Sequence, residues 1–232
     1  LKSVLISVYN KDGIDELCKK FFEKNIQIIS TGGTKKHIEN LGITVKSIES
    51  LTGYPSILGG RVKTLHPKVF GSLLSRGQNS NDKEDIEKHK IPKIDMVIVD
   101  LYPFSETVNS SDNEDEIIEK IDIGGVSLIR AGAKNFSDVI VISSKKQYDS
   151  ILSYLISNDF FSDLTYRKQL ASKAFKLISS YDRDIDEFFG VSTGIYMNLR
   201  YGENPHQKGL FKGDINEIFD KINGKSLSMN QV

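Results

Sequence analysis

The chain has 232 residues, 38% of them hydrophobic and 27% charged, an ordinary globular composition that suits one large domain or one domain with an appendage. Its 31 Lys and Arg balance 31 Asp and Glu, so no general electrostatic pull draws it to nucleic acid or an anionic membrane, and any anion site must be local. The apolar runs fall far short of the roughly 20 residues of a membrane span, and a lone cysteine, Cys18, allows no intramolecular disulfide and fits a reduced, cytoplasmic setting.

The opening LKSVLISVYN lacks the longer apolar core of a signal peptide. Without an initiator Met it is expected to have lost residues, and the closing GKSLSMNQV is expected to be a cut end. Residues 2–8 read as a first strand, NKDG turns the chain, and Ile14, Leu17, Cys18, Phe21 and Phe22 mark the apolar face of a helix. Ile26, Ile28 and Ile29 predict a second strand, which runs into STGGT and a short helix carrying Ile38 and Leu41. Residues 43–46 predict a third strand. The stretch LTGYPSILGGRVKTLHPKVFGSLLS is too rich in glycine and too irregular for one element, and QNSNDKEDIEKHK reads as a surface loop and a solvated helix. IDMVIVDLYPF is the strongest buried strand and stops at Pro103; the acidic NSSDNEDE precedes a helix ending near Ile121. DIGGVSLIRAGAKN reads as a second glycine-started helix, followed by a strand over 138–143 and a helix over 145–158. Next comes a long amphipathic helix with Leu170, Ala174, Phe175, Ile178 and Tyr181 on one stripe, fit to close the domain or to meet a partner subunit. Strands alternating with helices predict a doubly wound, mainly parallel α/β sheet with ligands at the carboxyl ends of its strands. Near Gly190 the pattern turns extended, in VSTGIYMNLRYGENPHQ, which predicts a domain boundary.

The decorated loops carry the candidate chemistry. In STGGT a helix N-terminus offers free N–H groups, the positive end of a dipole, and glycines that let a phosphate approach the backbone; the plainer alternative is a capped turn. GGRVKTLHP crowds Arg61, Lys63, Thr64 and His66 together, which favours an anionic ligand between the cations or, equally, a solvated basic loop. DLYPF sets Asp100 and Tyr102 at the exit of the buried strand, either as donors into a cleft or as rim packing. Asp122 precedes the glycine-started helix and Lys134 lies about 18 Å along it if the helix is ideal. They meet one substrate only if that helix is shorter or starts later, and otherwise cap and complement its two ends. His37, His66, His89 and His206 have neither the pairing nor the cysteine company of a metal site, so no metal is expected.

Taken together and in this order, STGGT, LTGYPSILGGRVKTLHPKVFGSLL, DLYPF, IDIGGVSLIRAGAKN and LRYGENPHQ closely resemble the bifunctional purine biosynthesis family that joins inosine monophosphate (IMP) cyclohydrolase to aminoimidazole carboxamide ribonucleotide (AICAR) transformylase. The resemblance spans essentially the whole chain. It implies a methylglyoxal synthase-like cyclohydrolase domain over residues 1–190 and the truncated start of the transformylase over 191–232. The implied reaction closes 5-formamidoimidazole-4-carboxamide ribonucleotide to IMP with loss of water and needs no cofactor or metal; 10-formyltetrahydrofolate is the cosubstrate of the missing transformylase half. By position, Thr31, Gly32, Gly33 and Thr34, with Ser7 and Lys11, match the phosphate loop. Arg61, Thr64, Gly124 and Gly125 match substrate-binding positions, and Lys63, Tyr102, Asp122 and Lys134 match the groups around the reacting amides. Arg200 and Tyr201 match a nucleotide contact of the second active site. The family also implies a homodimer. Tyr9 and Asn10 depart from the common SxSDKTG pattern, since this chain reads SVYNKDG. The rival readings are a non-enzymatic nucleotide or phosphate sensor of the same fold, which would not need Lys63, Tyr102, Asp122 and Lys134, and a methylglyoxal synthase-like elimination, which would not need a nucleobase pocket.

Overall fold

A computed structural model describes residues 1–192, 196–199 and 209–212. Five short strands form one parallel sheet: β1 (Ser3–Val8), β2 (Gln27–Ser30), β3 (Lys46–Ser47), β4 (Met96–Asp100) and β5 (Ile140–Ile142), in the order β3-β2-β1-β4-β5. The alternation of strands and helices forces this arrangement, because parallel neighbours require crossover connections that cover both faces of the sheet. The central strands are accordingly apolar on both faces: Val4, Leu5, Ile6, Val97, Ile98, Val141 and Ile142 are all buried.

The helices are α1 (Asp15–Glu23), α2 (Gly32–Asn40), α3 (Ile48–Thr52), α4 (Pro67–Leu74), α5 (Ser80–Lys88), α6 (Phe104–Ser110), α7 (Glu114–Ile118), α8 (Gly124–Lys134), α9 (Tyr148–Ser157) and α10 (Leu164–Ser192). In α1 the stripe Leu17, Cys18 and Phe21 enters the core, and burial pushes the Cys18 thiol up to about 12. Phe22, expected on that face, is half exposed. The expected third strand over 43–46 shrinks to Lys46–Ser47, where Ile43 and Val45 bury their side chains from the preceding connection rather than from the ladder. The irregular Gly-rich stretch contains α4, which starts with Pro67 at its first turn and His66 Nδ1 accepting from the Lys68 N–H at 3.1 Å. No residue of α5 is buried, as its polar sequence predicts.

Helix α10 lays Leu170, Ala171, Ala174 and Ile178 against the main core, beside α8 and β5. Phe175, placed on that stripe by the sequence pattern, is instead 41% exposed. Further along, Tyr181 joins Phe104 and Ile117 in a smaller apolar cluster under α6 and α7. Thus one helix ties together the sheet and the loops above it. It ends two residues beyond Gly190, and an antiparallel pair follows, β6 (Tyr196–Leu199) with β7 (Gly209–Lys212). Arg200 and Tyr201 lie outside the described residues. Among the described residues no helix is long and apolar enough to cross a membrane.

Candidate active site

Strand β1 pairs with β2 on one side and β4 on the other. Chain leaving β1 and β4 therefore turns toward opposite ends of the sheet, which opens a crevice beyond their carboxyl ends. A cleft of about 680 Å³ occupies this position. The end of β1 supplies Ser7 and the loop after it Tyr9 and Lys11; the turn after β2 supplies Thr31, Gly33 and Thr34. Arg61, Lys63 and Thr64 come from the loop before α4, Asp100 and Tyr102 from the end of β4, and Asp122, Gly124 and Gly125 from the start of α8. Gly32 opens α2 beside them with a φ of +39°, a conformation that favours glycine.

At one end of the cleft the α2 N-terminus is open. A Cβ on Gly32 would meet nothing within 4 Å, and one on Gly33 only the Lys11 ammonium at 4.0 Å. Free N–H groups, a dipole and a lysine thus surround room for an anion. The hydroxyls divide their work. Thr34 is buried and its Oγ1 donates to the Val8 carbonyl at 2.9 Å while accepting from the Val8 N–H at 3.2 Å, so it ties α2 to β1. Thr31 Oγ1 lies 3.4 Å from Ser7 Oγ, which leaves that pair hydrogen-bonding capacity toward the cleft. Lys11 Nζ donates to the Tyr9 carbonyl at 2.6 Å.

At the other end, Asp122 Oδ1 accepts from the Gly125 N–H at 2.6 Å. A Cβ on Gly125 would sit 2.5 Å from Asp122 Oδ2, and one on Gly124 would sit 3.2 Å from Thr64 Oγ1. These two glycines make room for a carboxylate and a hydroxyl of the protein itself. Burial pushes the Asp122 carboxyl above the usual range. Hydrogen bonds from the Gly125 and Tyr102 backbones and the nearby Lys63 charge pull it back, and Asp100 adds to the rise. Burial also raises the Tyr102 phenol, helped by the negative charges of Asp122 and Glu119, so this hydroxyl stays protonated at neutral pH and can donate. Asp100 is raised by burial as well, and its Oδ2 accepts from the Asn10 N–H at 2.9 Å, fixing the turn that carries Lys11.

Glu119 and Lys120 also line the cleft and carried no sequence signal. Arg61, read as an anion-facing cation, is paired with Glu119 through Nε at 3.2 Å and through Nη2, so its charge is already answered at the rim. Tyr9 packs edge-on against Tyr102 with ring centroids 5.3 Å apart, and the Lys120 ammonium lies over its face. The aromatic residue that departs from the family pattern is therefore a wall of the cleft.

Lys134 is not brought to the cleft. Helix α8 runs unbroken for 11 residues, which carries its last residue about 18 Å from Asp122 at the usual rise per residue. Its side chain instead lines a second groove with Arg130, Lys168 and Phe175. Among the described residues no cluster of His, Cys, Asp and Glu suits a metal ion.

Five parallel strands alternating with helices, with a cleft at the switch point, form an α/β fold, and the MGS-like domain model matches residues 13–127. The AICARFT/IMPCHase bienzyme model matches residues 132–232. The chain is 50% identical over its whole length to the bifunctional purine biosynthesis protein PurH of Bacteroides thetaiotaomicron, and 42% identical to the PurH proteins of Clostridium botulinum and Clostridium perfringens. It belongs to this family of bifunctional purine biosynthesis proteins. The chain covers 47% of the first relative and 49% of the others, so it spans about half their length. The solved crystal structure of ForH superposes with a TM-score of 0.72 at 31% identity, over 83% of this chain and 98% of that one.

Proposed function

We propose that the chain carries the IMP cyclohydrolase reaction, the ring closure of 5-formamidoimidazole-4-carboxamide ribonucleotide to IMP with loss of water. One observation supports this reading above the others: an open helix N-terminus beside Lys11 shares a single cleft with Lys63, Tyr102 and Asp122. A ribonucleotide has a phosphate for the first and two amide arms for the second. The carboxamide nitrogen attacks the formyl carbon; a C–N bond forms, the carbonyl electron pair moves onto oxygen, and the nitrogen sheds one proton. The oxygen, protonated, then leaves as water while the former formamido nitrogen gives up its proton and becomes doubly bonded to the new ring carbon. Holding both arms together supplies much of the rate.

In this scheme Asp122 accepts the proton that the attacking nitrogen loses as its bond forms. Its raised pKa makes it a better base than an exposed aspartate. Tyr102 donates to the oxygen that becomes negative and then departs, and Lys63 stabilises the same charge. Thr64 and Gly124 border the base, and the Ser7, Lys11, Thr31, Gly33 group holds the phosphate. Every step is proton transfer or C–N and C–O bond exchange, so no cofactor takes part. We further propose that the cyclohydrolase unit ends near residue 190, that 191–232 begin the transformylase whose complete form uses 10-formyltetrahydrofolate, and that the protein is a cytoplasmic homodimer. Incubating the purified chain with the formylated ribonucleotide and following IMP formation tests the activity. Turnover above the spontaneous rate is expected; none from a folded sample overturns it.

A further inference from the structure

Asp122 sits on a turn between α7 and α8 that belongs to no regular element, and something must hold that turn still. The Asp122 backbone N–H donates to the Tyr181 hydroxyl at 2.8 Å, and that hydroxyl donates to the Lys120 carbonyl at 2.9 Å. One phenol on α10 therefore fastens both sides of the turn, across 59 residues of sequence. Its own position is fixed from below. Tyr181 is only 8% exposed, its ring meets Phe104 edge-on at 6.2 Å, and Phe104 meets Phe188 at 5.8 Å. Burial pushes the phenol up to about 12, so it keeps the proton that the Lys120 carbonyl accepts throughout the neutral range.

We propose that Tyr181 is a positioning residue for ring closure, clamping the 120–122 turn so that the Asp122 carboxylate stays over Gly125 and faces the substrate amide. This rests on the cyclohydrolase reading. Among the described residues the hydroxyl hydrogen-bonds to backbone only, at Asp122 and Lys120, so its effect on chemistry passes through the Asp122 turn. A misplaced catalytic group can cost orders of magnitude in rate without loss of binding.

Tyr181→Phe removes one oxygen and leaves the ring. It is expected to lower kcat about tenfold or more, with KM and nucleoside monophosphate affinity changed by less than about twofold. In an Asp122→Asn background the same change should lower kcat no further, because the group it positions is already gone. An unchanged kcat, or an equal loss in both backgrounds, overturns the proposal. Amide hydrogen exchange gives a readout free of turnover. The Asp122 N–H should be protected in the parent chain and exchange faster in Tyr181→Phe. An unprotected Asp122 amide in the parent overturns the clamp even if the variant fails to fold. A parent that shows the protected amide but no cyclisation would sink the enzymatic reading alone.

Discussion

Two helices of this molecule begin with a glycine pair, and the pairs serve opposite ends. At the start of α2, Gly32 and Gly33 face open space, with only the Lys11 ammonium within reach of an added Cβ. At the start of α8, Gly124 and Gly125 face the protein's own Thr64 hydroxyl and Asp122 carboxylate. A helix N-terminus favours negative charge wherever it occurs. One opens on the cleft, whereas the other is met by a carboxylate the chain carries itself. They lie at two edges of one cleft, and the proposed reaction makes one the binding end and the other the reacting end.

The strongest way to break the comparison is Asp122→Asn. Asparagine keeps an oxygen for the Gly125 N–H, so the helix start should survive, while the proton acceptor is lost; kcat is expected to fall by about 10²-fold or more. Nucleoside monophosphate affinity, measured by calorimetry, should change little, because the proposed phosphate site lies at the other helix. For the parent, the raised Asp122 pKa places the acid limb of the kcat profile above the ordinary carboxylate range, with activity lost as pH falls through it. The sign for stability is opposite to that of an ordinary ion-paired aspartate. The folded chain holds this proton more tightly than the unfolded one, so Asp122 costs stability as pH rises through the window between its ordinary and raised values.

At the binding end, Lys11→Ala removes the cation next to Gly33. A charge-assisted hydrogen bond is worth roughly 1.5–3 kcal/mol, so nucleoside monophosphates should bind about 10-fold to 100-fold more weakly, with free nucleosides nearly unaffected. Equal weakening of both ligand classes would remove the phosphate from α2. Smaller still is Gly125→Ala. Its φ is not in the left-handed region, and the clashing atoms are the end of a side chain that can swing away. Thermal stability should hardly move, yet the displaced carboxylate should lower kcat about tenfold. Gly132→Ala in the same helix is its control. There the added Cβ would lie 2.8 Å from Val97 Cγ1 in the packed core, where overpacking costs about 1–3 kcal/mol of stability.

Much of this arrangement was legible in the sequence, for reasons that particular residues make plain. The apolar bursts 3–8 and 96–99 had to be buried parallel strands, and polar, glycine-bearing loops after them had to lie at the sheet's ligand-binding edge. Thr34 was legible as important but not as what it is. A hydroxyl in a glycine turn reads as a ligand donor, and only the fold brings Val8 close enough to occupy both its bonding directions. Arg61 was misleading for a similar reason, since nothing in sequence links it to Glu119, 58 residues away. Tyr181 stood on the predicted stripe of α10, where a buried tyrosine must find a partner for its hydroxyl. That signal says a bond exists and not that it reaches the Asp122 turn.

The smallest expected effect falls on Lys134. The resemblance puts it among the reacting groups, but α8 is regular from Gly124 to its end, and the ammonium at that end is exposed beside Arg130 and Lys168 rather than in the cleft. Its distance from Asp122 follows from helix geometry alone, so no side-chain rotamer of this chain closes it. Exposed substitutions away from special features usually change free energies by less than about 0.5 kcal/mol, so Lys134→Ala should alter nucleoside monophosphate affinity by no more than about twofold. Any part it has in ring closure must then be played in the cleft of a second copy. Mixing Lys134→Ala with Asp122→Asn chains distinguishes the two cases. Activity regained in the mixture, from two variants each impaired alone, would assign Lys134 to a partner's cleft. If Lys134→Ala alone keeps full kcat, the residue does no more than complement the end of its helix. A tenfold loss of ligand affinity in the isolated monomer would contradict the geometry of α8 itself.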